Sequence, residues 1–262
     1  MADITAAMVK ALRDQTAQGM MDCKQALQEA DGDLEAARDI LRKKGLVKAE
    51  SKADRATSEG LIAIKTLERA AVMVEARCET DFCARNAEFQ GMVAKLADLA
   101  TDAPAGEIEP TDAMSDAVQA TLAKVGENMS YGRGIKIEAS RIGTYLHHNR
   151  KVGVLLGLEG DLPDETVSDL CMHIAFADPM GIAPEDIPAD VVEKEKAFAQ
   201  QEAIDSGKPP EIAEKIVAGK MRKFLAGKAL LEQPFVRDDK RKVKNLLGDA
   251  KVVAFARFAV GT

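Results

Sequence analysis

An α+β fold is expected from three observations. Apolar residues recur at helical spacing near both ends of the chain, over 1–45 and over 188–226. Stretches of β-branched residues alternating with polar ones lie between and after them, as in Ala71-Val72-Met73-Val74-Glu75. Helices and strands come in clusters rather than in strict alternation, which disfavours a parallel α/β sheet.

Residues 1–45 read as three short helices. Ile4, Met8, Val9 and Leu12 make the first apolar stripe. Asp22 is placed to cap a second helix from Cys23 to Ala30, which Gly32 punctuates. Asp33 is placed to cap a third, Leu34 to Lys44, with Gly45 as its C-cap. Between the first two helices, Gly19-Met20-Met21 puts two methionines on a turn, each either core or an adaptable contact. Residues 46–58 are charged and small, with no sustained apolar stripe, and are expected to be a linker.

From Gly60 the period changes. Gly60–Lys65 and Ala71–Glu75 read as two strands of a hairpin. Cys78-Glu79-Thr80-Asp81-Phe82-Cys83 follows, and then Ala87–Ala97 has Phe89, Val93, Leu96 and Ala97 on one helical face. Thr80-Asp81-Phe82 therefore falls at a strand-to-helix junction, where Thr80 or Asp81 can cap the helix. Phe82 is either folded into the core or held out at a tip, and local sequence alone favours the core.

A polar loop runs through Pro104 and Pro110 to a helix over Thr111–Val125. Strands are expected at Ile135–Ala139, Gly143–His147 and Lys151–Leu158, then a helix from Val167 to Ala177. Residues 188–226 form an antiparallel helical hairpin: helices over Ala189–Asp205 and Glu211–Leu225, broken by Ser206-Gly207-Lys208-Pro209-Pro210. Two helices bury little alone, so this arm should dock on the body or on another chain. Gln233-Pro234-Phe235-Val236 returns the chain to the body, and Val252–Val260 reads as a last strand.

Composition narrows the function. A net charge of −7 argues against sequence-independent binding of nucleic acid or anionic membrane. No apolar run has the length of a membrane span and the N-terminus lacks the regions of a signal peptide, so a cytoplasmic protein is expected. The four cysteines, Cys23, Cys78, Cys83 and Cys171, suit reduced thiols. His147, His148 and His173 are far from the Cys78/Cys83 pair, so neither a zinc site nor any cofactor is expected. With no phosphate-cradling Gly loop, G-x-S-x-G or H-E-x-x-H, the chain is not expected to be an enzyme.

Two strings carry a resemblance: Leu12-Arg13-Asp14-Gln15-Thr16-Ala17-Gln18-Gly19-Met20-Met21-Asp22-Cys23-Lys24, and Cys78-Glu79-Thr80-Asp81-Phe82. Together, and in this order, they resemble the translation elongation factor Ts family, nucleotide exchange factors of elongation factor Tu. Val191-Val192-Glu193-Lys194-Glu195, Ser206-Gly207-Lys208-Pro209 and Gln233-Pro234-Phe235-Val236 extend the resemblance over nearly the whole chain. It implies a ubiquitin-associated-like helical domain at 1–45 and a linker at 46–58. It also implies a two-part α+β core at 59–142 and 143–262, with the helical hairpin inserted at 188–226.

The resemblance further implies that Arg13, Met20 and Met21 contact the nucleotide-binding domain of elongation factor Tu. Thr80, Asp81, Phe82 and Cys83 would enter that domain beside its Mg²⁺ and phosphate site. His147, or His148 beside it, would meet another domain. Elongation factor Tu is thus the expected partner, in its GDP-bound and nucleotide-free forms, and the arm is a candidate dimerisation surface. Position 83 is Cys where the family usually has Val, a swap that keeps the wedge but could expose a thiol. The chain ends at Thr262, where many family members continue into a further helix. The competing expectation is a protein-binding adaptor without exchange activity, in which the helical module and the arm do the work.

Overall fold

The computed structural model describes residues 4–16, 18–50, 55–205 and 209–261, and excludes the side chains of 45–50. Residues 51–54 of the expected linker and 206–208 of the expected arm loop lie outside the described residues. Helices and strands are mixed as an α+β fold requires.

The chain opens with α1 (Ala6–Thr16), α2 (Met20–Glu29) and α3 (Leu34–Glu50). Val9 and Leu12 of α1, Cys23, Ala26 and Leu27 of α2, and Ala37 and Leu41 of α3 close one small core, with Ile4 and Met8 packed on it. Asp33 caps α3 as expected, its carboxylate accepting from Glu35 N at 2.8 Å and Ala36 N at 3.0 Å. Two boundaries differ from expectation. Gly19, not Asp22, is the N-cap of α2, so Asp22 sits in the first turn, where its charge suits the helix dipole. The third helix does not stop at Gly45 but runs to Glu50, which removes five residues from the expected linker. An interior Gly costs a helix only about 1 kcal/mol, and Leu46-Val47-Lys48-Ala49-Glu50 brings no proline to end it.

Packing divides the chain into two compact units. The first comprises Met1–Ala63, Val74–Gly134 and Val260–Thr262; the second comprises Ile64–Met73 and Ile135–Ala259. These bounds differ from the expected division at 142/143, because the first hairpin and the strand ending at Glu138 each run through both units.

The first sheet contains β1 (Glu59–Thr66), β2 (Ala70–Cys78), β3 (Gly106–Glu107) and β4 (Met129–Glu138), in the order β1-β2-β4-β3. As an inner strand, β2 is buried from Ala70 through Ala76, so its polar position also has to be satisfied inside. Glu75, 0% exposed, accepts from Arg77 Nε and from Arg133 Nε, each at 2.8 Å. At Gly60 a Cβ would lie 2.2 Å from the Ala76 carbonyl oxygen, so only glycine lets β1 approach this closely.

The single helix expected after β2 is two: α4 (Asp81–Arg85) and α5 (Ala87–Leu99). Asn86 between them is extended (φ −68°, ψ 135°), and its side chain caps α5 by accepting from Glu88 N at 2.8 Å. On α5, Phe89, Met92, Val93, Leu96 and Ala97 are buried. They pack with α6 (Asp112–Val125), which buries Met114, Ala117, Val118 and Leu122.

In the second unit β5 (Arg141–Leu146) and β6 (Val152–Glu159) form an antiparallel hairpin with Leu146 opposite Gly153. The helix α7 (Asp164–Ala177) lies against it, burying Val167, Leu170, Cys171 and Ile174 on Val154, Leu156 and Leu158. The arm is α8 (Ala189–Asp205) and α9 (Pro210–Lys228), packed on each other. Its base is tied by backbone bonds from Met180 N to Lys228 O and from Leu230 N to Gly181 O. Then come a short hairpin, β7 (Pro234–Phe235) with β8 (Asp238–Lys242), which the sequence reading missed, and β9 (Lys251–Ala259). β9 completes the sheet in the order β5-β6-β9.

A buried histidine joins three of these pieces. His173 of α7, 1% exposed, accepts at Nδ1 from Val236 N at 3.3 Å. Its proton therefore sits on Nε2, which donates to Gln233 Oε1 at 3.0 Å. Gln233 Nε2 in turn donates to Gly227 O at 2.8 Å and to Ala177 O. Burial lowers the His173 pKa, because the cation would lose its hydration and Nδ1 its acceptor role. The unfolded chain then takes up a proton near pH 6.5 that the folded chain refuses. Stability from this group is whole above about pH 6.5 and falls as pH drops from there through the lowered folded pKa. The thermal midpoint is expected to fall between pH 7 and pH 5.5, with the imidazole titrating below its free value by NMR. A flat midpoint with an ordinary titration would show that His173 is not held neutral.

Candidate partner-binding site

The segment 78–85 folds by local rules. β2 ends at Cys78, and Thr80, extended at φ −127° and ψ 156°, turns the chain into α4. Thr80 Oγ1 accepts from Cys83 N at 3.1 Å, which makes Thr80 the cap and not Asp81. The same hydroxyl donates to Glu127 Oε2 at 2.8 Å. One residue earlier, the Glu79 carboxylate accepts from Asn128 N and pairs with Arg55 at 3.4 Å. Asn128 Nδ2 also donates to Arg55 O at 2.8 Å. Glu127 and Asn128 reach this place because Gly126, at φ 83°, ends α6 in the left-handed conformation. The base of the junction is thus pinned from two directions.

On this base α4 divides its residues. Cys83 and Ala84 turn inward, 2% and 4% exposed, and Phe82 turns outward with 77% of its surface in water. Asp81 stands beside it, its carboxylate 2.9 Å from Arg85 Nη2. The buried position that local sequence favoured for Phe82 is not what forms: the aromatic seat inside belongs to Phe89, 0% exposed. The Cys83 thiol, which could have been exposed, is buried. Cys78 Sγ donates to Thr80 O at 3.3 Å. Burial pushes the pKa of both thiols up.

In the helical module, Met20 and Met21 occupy the first turn of α2, 59% and 73% exposed. Neither belongs to the small core. Arg13, in the last turn of α1, is exposed as well. These three residues and the 80–83 junction belong to the first unit. His147 belongs to the second, in the turn after β5 rather than on the strand, with its N–H bonded to Val152 O at 2.9 Å. Tyr145 Oη is 2.8 Å from His147 Nδ1, and the His148 ring lies 4.2 Å from the His147 ring. His147 is half-buried and His148 exposed.

Sequence reasoning missed Arg55, Glu79, Glu127 and Asn128, the residues that hold the junction. Gly126 at a helix end was the one local signal. The bonds from 79 and 80 to 127 and 128 join distant parts of the chain and leave no spacing to read.

Taken together, this is an α+β protein that offers apolar side chains to solvent from a pinned junction and a helical module. A family model described as Elongation factor TS matches residues 79–262. The elongation factor Ts of Aeromonas hydrophila subsp. hydrophila is 44% identical over 271 residues, covering 100% of this chain and 92% of that protein. That of Tolumonas auensis is 46% identical over 271 residues, covering 100% and 92%. That of Salmonella agona is 42% identical over 264 residues, covering 100% and 93%. The chain belongs to the elongation factor Ts family, whose place is in the elongation stage of protein biosynthesis.

Proposed function

We propose that this chain is a guanine nucleotide exchange factor for elongation factor Tu, acting through the Phe82 tip and without chemistry of its own. The observation that carries the reading is an aromatic ring held out in water on a base hydrogen-bonded to Glu127 and Asn128. A large side chain gains about 1.5–3 kcal/mol when it leaves water for a partner's pocket. To accelerate release 10⁴-fold, contacts must favour the nucleotide-free partner by about 5.5 kcal/mol over its GDP form. Phe82 supplies part of that as an anchor. Asp81 supplies another part by bringing a carboxylate towards the Mg²⁺ shell, once its surface pair with Arg85 gives way at small cost. Thr80 and Cys83 fix the tip from below. By linkage, GDP or GTP weakens the grip of the factor as much as the factor weakens theirs.

Arg13, Met20 and Met21 keep the tip in register against the same domain, and His147 or His148 contacts a second one. The hairpin arm offers a surface for a dimer, and the setting is the cytoplasm, with neither nucleic acid nor membrane as a partner. Replacing Met20 and Met21 together by Ala is expected to weaken binding to elongation factor Tu about tenfold, or 1.4 kcal/mol. The release rate at saturating factor should change little, because these contacts are uniform across the exchange. Titrating the release rate against factor concentration separates the two effects. A lowered plateau would move the methionines into the exchange step itself. Release of a fluorescent GDP analogue, with and without the factor at fixed Mg²⁺, tests the function; binding without acceleration would leave an adaptor.

A further inference from the structure

The N-terminal module and the helix that braces the Phe82 tip meet at a set of charges that the proposed contacts leave unused. Within the first unit, α3 packs on α6. Arg42 of α3 donates from Nη2 to both carboxylate oxygens of Asp116 on α6, at 3.2 Å and 3.4 Å. Beside this pair, Gln15, Thr16 and Gln18 of the module and Gln119, Ala120 and Ala123 of α6 line one cleft. We propose that Asp116 and Arg42 are positioning residues, which dock the module on α6 and so present the methionine turn and the tip to the partner as one pre-set surface. The second half of this rests on the reading of Met20, Met21 and Phe82 as partner contacts.

Asp116 matters because of what surrounds it. Among the described residues that line the cleft it is the one carboxylate, set against three cations, Arg38, Arg42 and Lys124. Lys124 also reaches Glu88 of α5 at 3.3 Å, and Arg38 lies 4.0 Å from Glu35. The facing walls are mostly amide, hydroxyl and methyl groups, and Leu41 beside them belongs to the module's own core. Little apolar surface therefore holds the module in place. An exposed ion pair adds little stability by itself, and the Arg42 and Asp116 side chains are 69% and 63% exposed. What the pair does is select one placement, because the carboxylate neutralises cations that would otherwise push the module off α6. The docking is weak, specific and sensitive to charge.

The helix α6 carries this docking to the tip. Asp116 lies in its second turn, and at its far end Gly126 leads to Glu127 and Asn128, which bind Thr80 and Glu79. The chain that leaves the module is tied to the same place: Arg55 pairs with Glu79, and its carbonyl accepts from Asn128 Nδ2. Met20 and Met21 follow closely on Gln18, which lines the docked edge. With the module docked, a partner meets both contacts without first ordering a free domain, and this pre-organisation raises affinity. The apparent dissociation constant varies inversely with the docked fraction, so lowering that fraction to about a tenth weakens binding about tenfold.

The test follows amide relaxation by NMR on the full-length chain, and in parallel its affinity for elongation factor Tu. In the wild type the module should tumble together with the rest of the first unit. Asp116→Arg leaves only cations along the cleft, so α1 and α2 should tumble faster and affinity should fall by up to about tenfold. The release rate at saturating factor should not change. Arg42→Asp combined with Asp116→Arg restores an opposite pair and should restore both docking and affinity, which neither change does alone. Both side chains are exposed, so the melting curve of each variant should match that of the wild type. A wild-type module that tumbles independently, or an Asp116→Arg module that stays docked, would overturn the proposal. So would a charge swap that fails to restore docking. Undocking with unchanged affinity would overturn the positioning role if Met20→Ala with Met21→Ala weakens binding. If that double change also leaves binding intact, the reading of the methionine turn is what fails.

Discussion

Replacing Phe82 by Ala is expected to slow GDP release from elongation factor Tu by about ten- to a hundredfold, the rate equivalent of about 1.5–3 kcal/mol of buried aromatic surface. Thermal stability should stay within about 0.5 kcal/mol of wild type, because a side chain that is 77% exposed leaves no hole when it is cut back. The pairing of those two results matters. A slow variant that is also unstable would say only that the tip had unfolded. A stable variant with full activity would mean that Phe82 is not the anchor. Circular dichroism melts and stopped-flow release on the same preparation give both readings.

Phe89→Ala should behave in the opposite way. This ring lies seven residues further on, on the inner face of α5, with no exposed surface and with Met92, Val93 and Leu96 buried along the same helix. Removing it takes away the apolar contacts and leaves a cavity that the two packed helices α5 and α6 can only partly close. A loss of about 3–5 kcal/mol is expected, to be read from chemical denaturation at constant m-value. Exchange by the fraction still folded should be near normal. A cost under about 1 kcal/mol would show that the site collapses around the missing ring.

The two phenylalanines also show how far the sequence could be read. Phe89, Val93 and Leu96 announce a buried face by their spacing, and α5 forms where that spacing places it. Phe82 has no such partners. A short apolar run after a capping residue reads as core on local sequence, yet the answer depends on which side of a five-residue helix the chain turns inward. Cys83 and Ala84 take the inner side, which sequence alone did not decide. The cap itself was half legible: a Thr-Asp pair at a strand end signals a helix start, but Thr80 was singled out only by the bond its hydroxyl accepts from Cys83 N. The same limit explains α3. Gly45 is a reasonable C-cap by type, and the helix passes through it because nothing beyond it breaks a helix. The contact residues suggested by the family resemblance were named from sequence, whereas the residues that brace them, Glu79, Glu127 and Asn128, came only from the fold.

The measurement that bears most directly on the central claim is the release rate of a fluorescent GDP analogue from purified elongation factor Tu, at fixed Mg²⁺ and saturating factor. Acceleration by several orders of magnitude, reversed in proportion as free GDP is raised, is the result that differential binding through the tip predicts. Tight binding of the chain to elongation factor Tu with an unchanged release rate would contradict it.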